Sequence, residues 1–223
     1  MKHINIALDG PAGAGKSYLC RELAKKYSLI HVDTGALYRS IGLYYARLGI
    51  DKTDKEAIIN GLSGINLTLT FIDGNQSVLL NGENVNAYIR TPEISLYASA
   101  VSAIPEVRAF LLDTQRNIAK NENVIMDGRD IGTVILPDAN VKIFLIASNE
   151  ARARRRWLEL VEKDPSISFE KVLSEIVERD NNDRTRKTAP AVPAEDAVIL
   201  DNSDLDRDGT IAAACAIIDK ALA

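Results

Sequence analysis

The sequence predicts an α/β fold, namely a doubly wound parallel sheet of five strands with an inserted antiparallel β meander and a helical, charged segment. Short apolar runs of strand length alternate with helical patterns, at residues 4–8, 29–32, 123–126, 141–146 and 197–201. A glycine-rich turn follows the first run, and residues 65–90 change to the strict alternation of an antiparallel sheet. Strands separated by helices pair in parallel through right-handed crossovers, so this order favours a doubly wound sheet.

The glycine-rich turn carries the clearest chemical signal. Its sequence, Gly10-Pro11-Ala12-Gly13-Ala14-Gly15-Lys16-Ser17, fits G-x-x-x-x-G-K-[ST], and a helical pattern follows it at residues 17–27. Glycines allow successive backbone N–H groups to converge on phosphate oxygens at the N-terminus of a helix. Lys16 is expected to reach the β- and γ-phosphates, and Ser17 to place its hydroxyl near Mg²⁺. The alternative is a turn with no ligand, but pattern and context together predict a P-loop that binds a nucleoside triphosphate.

Composition restricts the function classes. The 223 residues are 46% hydrophobic and 26% charged, which is typical of a globular protein. A net charge of −4 argues against non-specific binding to nucleic acid or to an anionic membrane. Cys20 and Cys215 show no metal-ligand or C-x-x-C spacing, so we expect reduced, buried thiols. No apolar run is long enough to span a membrane. We therefore expect a cytoplasmic protein and, without a long apolar stripe, a monomer.

Polar motifs follow the second and third predicted strands. They are Asp33-Thr34-Gly35-Ala36-Leu37-Tyr38-Arg39 and Asp127-Gly128-Arg129-Asp130-Ile131-Gly132-Thr133. The carboxyl ends of parallel strands lie at the sheet edge that also holds the P-loop, so these side chains are expected to line a ligand site. Thr34 and Asp127 are also suitable helix N-caps. His31 lies inside an apolar run, where we expect it to be packed rather than catalytic.

Seven arginines follow the strand at residues 141–146: Arg152, Arg154, Arg155, Arg156, Arg179, Arg184 and Arg186. A solvated helix face would explain such a charge run. We favour a functional role, because transfer between two nucleotides gathers many negative charges and guanidinium groups bind phosphate in a bidentate way. A mobile lid would exclude water and assemble these arginines only around both substrates.

The P-loop, the two strand-end motifs and Arg179-Asp180-Asn181-Asn182-Asp183-Arg184 together resemble the bacterial cytidylate kinase family, a group of P-loop nucleoside monophosphate kinases. The resemblance covers nearly the whole chain. It implies one P-loop kinase domain over residues 1–223, with a nucleoside-monophosphate-binding insertion at 38–108, the β meander at 65–90 and a lid at 149–188. It also implies transfer of the γ-phosphoryl group of ATP to CMP or dCMP with Mg²⁺, which gives CDP or dCDP and ADP.

Residue roles come from the same resemblance. Thr34, Arg39, Arg129 and Arg186, with Asp33 beside them, are similar to the clamp on the acceptor phosphate. Ser99, Arg108 and Asp130 are similar to the groups that read the cytosine edge, and Arg179 and Asp183 to those that hold the sugar. Arg152, Arg155 and Arg156 match lid arginines. The implied catalytic set is Lys16, Arg129, Arg155, Arg156 and Arg186, with Ser17 and, through water, Asp127 at the metal.

The family places Thr at a position that Tyr18 occupies in this chain, so the group that orders Mg²⁺ is less firmly implied than the others. Tyr18 itself is expected to border the ATP site. Other readings stay open: a kinase for another base, UMP or AMP, a small-molecule P-loop kinase, or a nucleotide sensor without activity. A regulatory GTPase would need a guanine-reading Asn-Lys-x-Asp segment, which the sequence lacks.

Overall fold

The computed structural model describes residues 3–72, 75–162 and 164–223. In chain order its elements are β1 (Asn5–Asp9), α1 (Lys16–Tyr27), β2 (Ile30–Asp33), α2 (Thr34–Arg47), α3 (Lys55–Gly61), β3 (Leu67–Ile72), β4 (Asn75–Leu80), β5 (Glu83–Asn84), α4 (Pro92–Ser102), α5 (Pro105–Asn121), β6 (Val124–Asp127), β7 (Val141–Ile146), α6 (Asn149–Val161), α7 (Phe169–Thr185), β8 (Val198–Asp201) and α8 (Arg207–Leu222). A 3-10 turn at Leu62–Gly64 and a π-helical turn at Ile131–Ile135 complete the order.

The central sheet confirms the predicted fold. Its five strands run in the order β2-β6-β1-β7-β8, and every pairing in it is parallel. Helices α1 and α8 cover one face, where Leu19 and Ile218 share a core with Ile143 of β7. On the other face α5 and the π-helical turn pack against β6, as Ala119 and Ile131 do around Met126. Strands covered on both faces are expected to be continuously apolar, which explains the short runs visible in the sequence.

The antiparallel meander is also confirmed. β3 pairs with β4 from Leu67↔Leu80 to Ile72↔Asn75, and β4 pairs with the two-residue β5. The Asp73-Gly74 turn signal of the sequence lies outside the described residues. The meander shares a separate core with α2, α3, α4 and α5. Within that core α2 and α4 approach closely at Gly42, where a Cβ would lie 2.8 Å from Cβ of Tyr97.

Several helices have extents that the sequence patterns did not define. Helix α2 begins at Thr34, inside the motif that follows the second strand, because the Asp33 side chain accepts the Ala36 N–H at 3.0 Å and acts as the N-cap. Thr34 is therefore not that cap. The charged stretch at 147–183 forms two helices, α6 and α7, whose small core contains Ala153, Val172 and Ile176. The short α3 was not expected from the sequence.

Among the described residues, no single helix has both the length and the apolar character needed to cross a membrane. Helices α4 and α5 taken together meet that criterion by length and composition alone, and they are bent by 97° where they join.

Candidate active site

The P-loop connects β1 to α1 through a backbone that only glycine adopts readily. Gly10, Gly13 and Gly15 have φ values of 144°, 75° and 95°. A Cβ on Gly10 would lie 2.0 Å from the Leu145 carbonyl oxygen of β7, so the loop starts directly against the sheet. Lys16 Nζ donates to the Pro11 carbonyl oxygen at 2.7 Å, across the loop. Burial, and then the nearby Arg129, lower the pKa of Lys16 to about 7. An anion bound here would raise that pKa again.

Asp127, at the end of β6, joins the base of the P-loop to the sheet. Its Oδ2 accepts the Ser17 hydroxyl at 2.5 Å, and its Oδ1 lies 3.0 Å from His31 Nε2. Burial acts to raise the pKa of Asp127, but hydrogen bonds from His31 and Ser17 and the charge of Lys16 outweigh it, so the pKa is lowered. The site therefore offers an ionised carboxylate beside a hydroxyl, and Mg²⁺ prefers such oxygen ligands.

Asp9, the last residue of β1, joins the P-loop to the turn after β6. Its carboxylate accepts the backbone N–H groups of Ile131 and Gly132, both at 2.8 Å. Burial raises the pKa of Asp9 to about 6, and the two N–H donors oppose that rise. This carboxylate therefore fixes the position of the segment that carries Asp130.

Asp130 lies between two arginines from distant parts of the chain. Its carboxylate contacts Arg108 Nη2, and its Oδ1 is 3.4 Å from Arg186 Nη2. Both arginines also reach Ser102, through the carbonyl oxygen at 3.2 Å and the hydroxyl at 3.3 Å. Burial, and then the charge of Arg108, lower the pKa of Arg186. The group concentrates positive charge around one buried carboxylate.

A similar arrangement surrounds Asp33. Its Oδ2 accepts from Arg39 at 2.8 Å and from Arg90 at 3.0 Å. Arg129 forms a comparable pair with Asp183, at 2.9 Å. These carboxylates thus fix the orientation of the arginine side chains.

Two of these guanidinium groups retain unused donors. Arg39 Nε and Arg179 Nε are buried and have no hydrogen-bond partner among the described residues. Burial, followed by the charge of Arg129, lowers the pKa of Arg179 to about 10. Buried polar atoms are nearly always hydrogen-bonded, so unused guanidinium donors at a cavity fit an anionic ligand such as phosphate.

Most of these groups border one cavity of about 420 Å³. Most of the sequence-predicted site residues line it: Ala12, Gly13, Gly15, Lys16, Ser17, Tyr18, Asp33, Thr34, Arg39, Ser99, Arg108, Asp127, Arg129, Asp130, Arg179, Asp183 and Arg186. A larger cavity of about 950 Å³ lies beside α7 and the end of β7, but of the P-loop it touches only Pro11. The smaller cavity is the candidate active site, because it alone holds both Lys16 and Asp130.

Comparison with known proteins identifies the family. Residues 6–220 match the family model described as cytidylate kinase. This chain belongs to the cytidylate kinase family. A cytidylate kinase from Caldicellulosiruptor saccharolyticus is 51% identical, over 92% of this chain and 91% of its own length. Those from Thermosipho melanesiensis and Carboxydothermus hydrogenoformans are 47% and 44% identical, over 92% and 97% of this chain and 92% and 98% of their own lengths.

Some residues predicted from the family resemblance do not border the active-site cavity. Arg155 donates to the Asn202 carbonyl oxygen at 2.7 Å, and Arg156 pairs with Glu159 at 2.9 Å on the surface of α6. Arg152 is buried and donates to the Ala12 carbonyl oxygen at 2.8 Å, beneath the P-loop. Gly10, Pro11 and Ala14 form the loop without lining the smaller cavity.

Sequence reasoning missed several residues of the site, among them Arg90, Ser102, Glu159 and Asn202. The first three line the cavity, and Asn202 donates to the Ala14 carbonyl oxygen at 3.1 Å from the end of β8. The signal for Asn202 was available, because it directly follows the last predicted strand at the ligand-binding edge of the sheet. Arg90 stands at the end of the meander, where its pairing with Asp33 depends on tertiary structure alone.

Proposed function

We propose that this chain transfers the γ-phosphoryl group of ATP to CMP or dCMP and releases CDP or dCDP with ADP. The observation that carries the proposal is that a P-loop and a set of carboxylate-held arginines face one cavity of about 420 Å³. The P-loop suits a triphosphate donor, and the arginines suit a second phosphate. Membership of the cytidylate kinase family supports the choice of acceptor.

On the donor side, the P-loop segment Gly10 to Tyr18 binds the ATP phosphates through its backbone N–H groups, to which Pro11 contributes none. Lys16 leaves the Pro11 carbonyl and neutralises charge on the transferred group. The Ser17 hydroxyl and, through water, the Asp127 carboxylate would hold Mg²⁺, which would supply further charge neutralisation. The oxygen donor set and the ionised state of Asp127 fit that ion.

On the acceptor side, Thr34, Arg39, Arg129 and Arg186 clamp the CMP phosphate. An oxygen of that phosphate attacks the γ-phosphorus of ATP while the bond to the β-phosphate oxygen breaks. The acceptor is already an anion, so the reaction is carried by positioning and by charge stabilisation and needs no strong general base. The unused Nε donors of Arg39 and Arg179 are suited to that anion.

Ser99, Arg108 and Asp130 read the cytosine edge, and Arg179 and Asp183 hold the sugar. Cytosine presents an amino donor beside a ring-nitrogen acceptor, and uracil presents the reverse. A carboxylate with an adjacent guanidinium matches cytosine, and its polar atoms would stay unpaired against uracil. Arg108 and Asp130, paired and buried, form such a combination.

We also propose two mobile parts within a single P-loop kinase domain. Residues 38–108 form the monophosphate-binding insertion, supported by its separate core. Residues 149–188 form the lid, supported by the small core that α6 and α7 share. Closure of this lid would carry Arg155 and Arg156 towards the transferred phosphoryl group and exclude water. In the present structure Arg155 binds Asn202 and Arg156 binds Glu159, and closure would replace these hydrogen bonds with contacts to the phosphoryl group.

A steady-state assay with ATP and Mg²⁺ tests the function, with CMP, dCMP, UMP, AMP and GMP offered in parallel. We expect strong preference for CMP and dCMP. Preference for another monophosphate would overturn the cytosine-reading assignment, and an absence of turnover with all five would contradict the kinase function.

We place the enzyme in the cytoplasm as a monomer, because the active-site cavity is formed by a single chain and both cysteines are free. Light scattering on the protein eluting from a sizing column tests the oligomeric state. A mass near 24.4 kDa is expected, and twice that mass would contradict the proposal.

A further inference from the structure

Three side chains of zinc-ligand type meet beneath the P-loop. The ligand atoms of Cys20, His31 and Asp127 all lie within 4.8 Å of one another, and all three residues are buried. Cys20 is a free cysteine, so its sulfur is available as a ligand. The sequence gives no sign of this cluster, because its members lie on three separate elements and have no motif spacing.

The fold explains why these side chains converge. β2 and β6 pair in parallel with His31 opposite Ile125 and Asp33 opposite Asp127. His31 and Asp33 are two positions apart and share a face of the sheet, so His31 lies diagonally across from Asp127 on that face. Cys20 belongs to the buried stripe of α1, one turn beyond Lys16, and α1 packs over β6. The Cys20 thiol therefore lies next to the side chains of His31 and Asp127.

We propose that Cys20, His31 and Asp127 form a binding site for a thiophilic divalent cation of the zinc class. Thiolate and imidazole prefer zinc over magnesium, whereas Mg²⁺ prefers oxygen ligands alone. Three protein ligands leave a fourth tetrahedral position for water, on the side of Ser17. Ligand atoms about 2.0–2.3 Å from a tetrahedral zinc lie roughly 3.3–3.7 Å from one another. The His31 and Asp127 atoms, 3.0 Å apart, would therefore separate slightly, and the Cys20 sulfur, within 4.8 Å of both, would approach by roughly 1 Å.

The binding step is a proton exchange. Burial raises the pKa of the Cys20 thiol, so the metal-free protein holds a neutral S–H group. Zinc forms bonds to Cys20 Sγ, His31 Nε2 and Asp127 Oδ1. The thiol proton passes to solvent, and the Nε2 proton that His31 donates to Asp127 is lost from Nε2 while Nδ1 takes up a proton, so that the ring stays neutral. The hydrogen bond between His31 and Asp127 is replaced by two bonds to the metal. Entry is from the active-site cavity, which both Asp127 and Ser17 line.

Bound zinc would inhibit the enzyme. Asp127 would be held by zinc and would no longer be available for the Mg²⁺ role that we propose for it. The hydrogen bond that the Ser17 hydroxyl now donates to Asp127 would also be disturbed. The metal-binding inference stands independently of the proposed function, whereas the inhibition rests on it.

Cobalt(II) tests the site directly, because a thiolate ligand gives it a charge-transfer band in the near ultraviolet. The full-length protein is titrated with Co²⁺ and then with Zn²⁺, in three forms: wild type, Cys20→Ala and Cys215→Ala. Cys215 is the matched control, since it is the other buried free cysteine and lies on α8. Cys20→Val is a second variant that fills more of the buried volume if Cys20→Ala does not fold.

We expect one Co²⁺ per chain, with the thiolate band in wild type and in Cys215→Ala, and its displacement by Zn²⁺. Loss of Cys20 should remove the band and weaken zinc binding. The weakening should exceed the roughly 10- to 100-fold loss caused by removing a residue that only hydrogen-bonds to a metal ligand. A band that persists without Cys20, disappears without Cys215, or never forms in wild type would overturn the site.

Turnover with ATP, Mg²⁺ and CMP in the presence of Zn²⁺ tests the inhibition separately. We expect zinc to inhibit wild type and Cys215→Ala at concentrations at least about tenfold lower than the Cys20 variants. Equal sensitivity of all forms would contradict an inhibitory role at this site. If no monophosphate is turned over, the cobalt titration still decides whether the metal site exists.

Discussion

The two halves of the proposed active site would hold phosphate by different means. The donor half is a backbone structure, in which three glycines with positive φ shape the loop and one buried lysine supplies the charge. The acceptor half is built from side chains, and its arginines are already paired with Asp33, Asp130 and Asp183. The donor half would suit any nucleoside triphosphate, whereas the acceptor half is specific to its ligand.

The difference has an electrostatic cause. Several buried guanidinium groups would repel one another if they were unpaired, so the acceptor half carries carboxylates that compensate their charge. Within the described part of the chain, Lys16 has no such paired carboxylate: burial and then the nearby Arg129 lower its pKa to about 7, and a bound anion would raise that pKa again. A backbone cradle needs no such compensation, because N–H dipoles carry no net charge.

The largest expected effect is on the donor half. Lys16→Ala should lower turnover by about 10²- to 10³-fold, because one preorganised charge on the transferred group is lost. The fold should be intact, as circular dichroism would show. Lys25→Ala is the control, because Lys25 lies on the same helix and is exposed. Near-normal turnover of Lys16→Ala would contradict the role of the P-loop lysine.

The next effect tests the acceptor half. Arg186→Ala should lower kcat/KM for CMP by roughly 10- to 150-fold, the equivalent of one charged hydrogen bond, while the dissociation constant for ATP changes little. Arg47→Ala provides a matched control, since Arg47 forms an ion pair with Glu83 on the surface. Unchanged kcat/KM, or a loss confined to ATP binding, would be inconsistent with a clamp on the acceptor.

Asp9 links the two halves, and its replacement should have an intermediate effect. Asp9→Asn keeps one carbonyl oxygen but loses one of the two acceptors for Ile131 and Gly132. Loss of one such bond, about 1 kcal/mol, should lower kcat/KM for CMP roughly fivefold. A change in KM for ATP with none for CMP would argue against this link.

Asp9 also gives a pH dependence. Its folded pKa of about 6 exceeds the ordinary aspartate pKa of 3.8, so between these values the folded state keeps a proton that the unfolded state has released. Wild type should therefore lose stability relative to Asp9→Asn as the pH rises through this range, by up to roughly 3 kcal/mol. Urea unfolding of both proteins across this range measures it, and a constant difference would contradict the raised pKa.

The sequence predicted much of this architecture for physical reasons. Apolar runs and the P-loop pattern depend on neighbouring residues, so the five-stranded sheet and the donor half could be recognised directly. The start of α2 at Thr34 was not predicted, because the capping Asp33 had been assigned to the ligand site only. Arg90 and Ser102 were missed, and Arg155 and Arg156 do not border the cavity, because those positions depend on contacts between distant segments.

The smallest expected effect concerns Tyr18, the departure from the family pattern. Its ring lies 4.9 Å from the guanidinium carbon of Arg207, an interaction worth about 0.5–1 kcal/mol at exposed sites. Tyr18→Thr should therefore lower Tm by roughly 1–4 °C and change kcat/KM for ATP less than about threefold. A tenfold loss of ATP turnover would instead assign Tyr18 a direct part in the donor half.

Asp130 tests the central claim most directly, because its carboxylate both compensates Arg108 and Arg186 and is proposed to read the base. The measurement is kcat/KM for CMP and for UMP, in wild type and in Asp130→Asn, which preserves the size of the side chain. We predict that wild type strongly prefers CMP and that the variant loses CMP turnover and preference together. A variant that kept the wild-type ratio of CMP to UMP would contradict the account of the acceptor half.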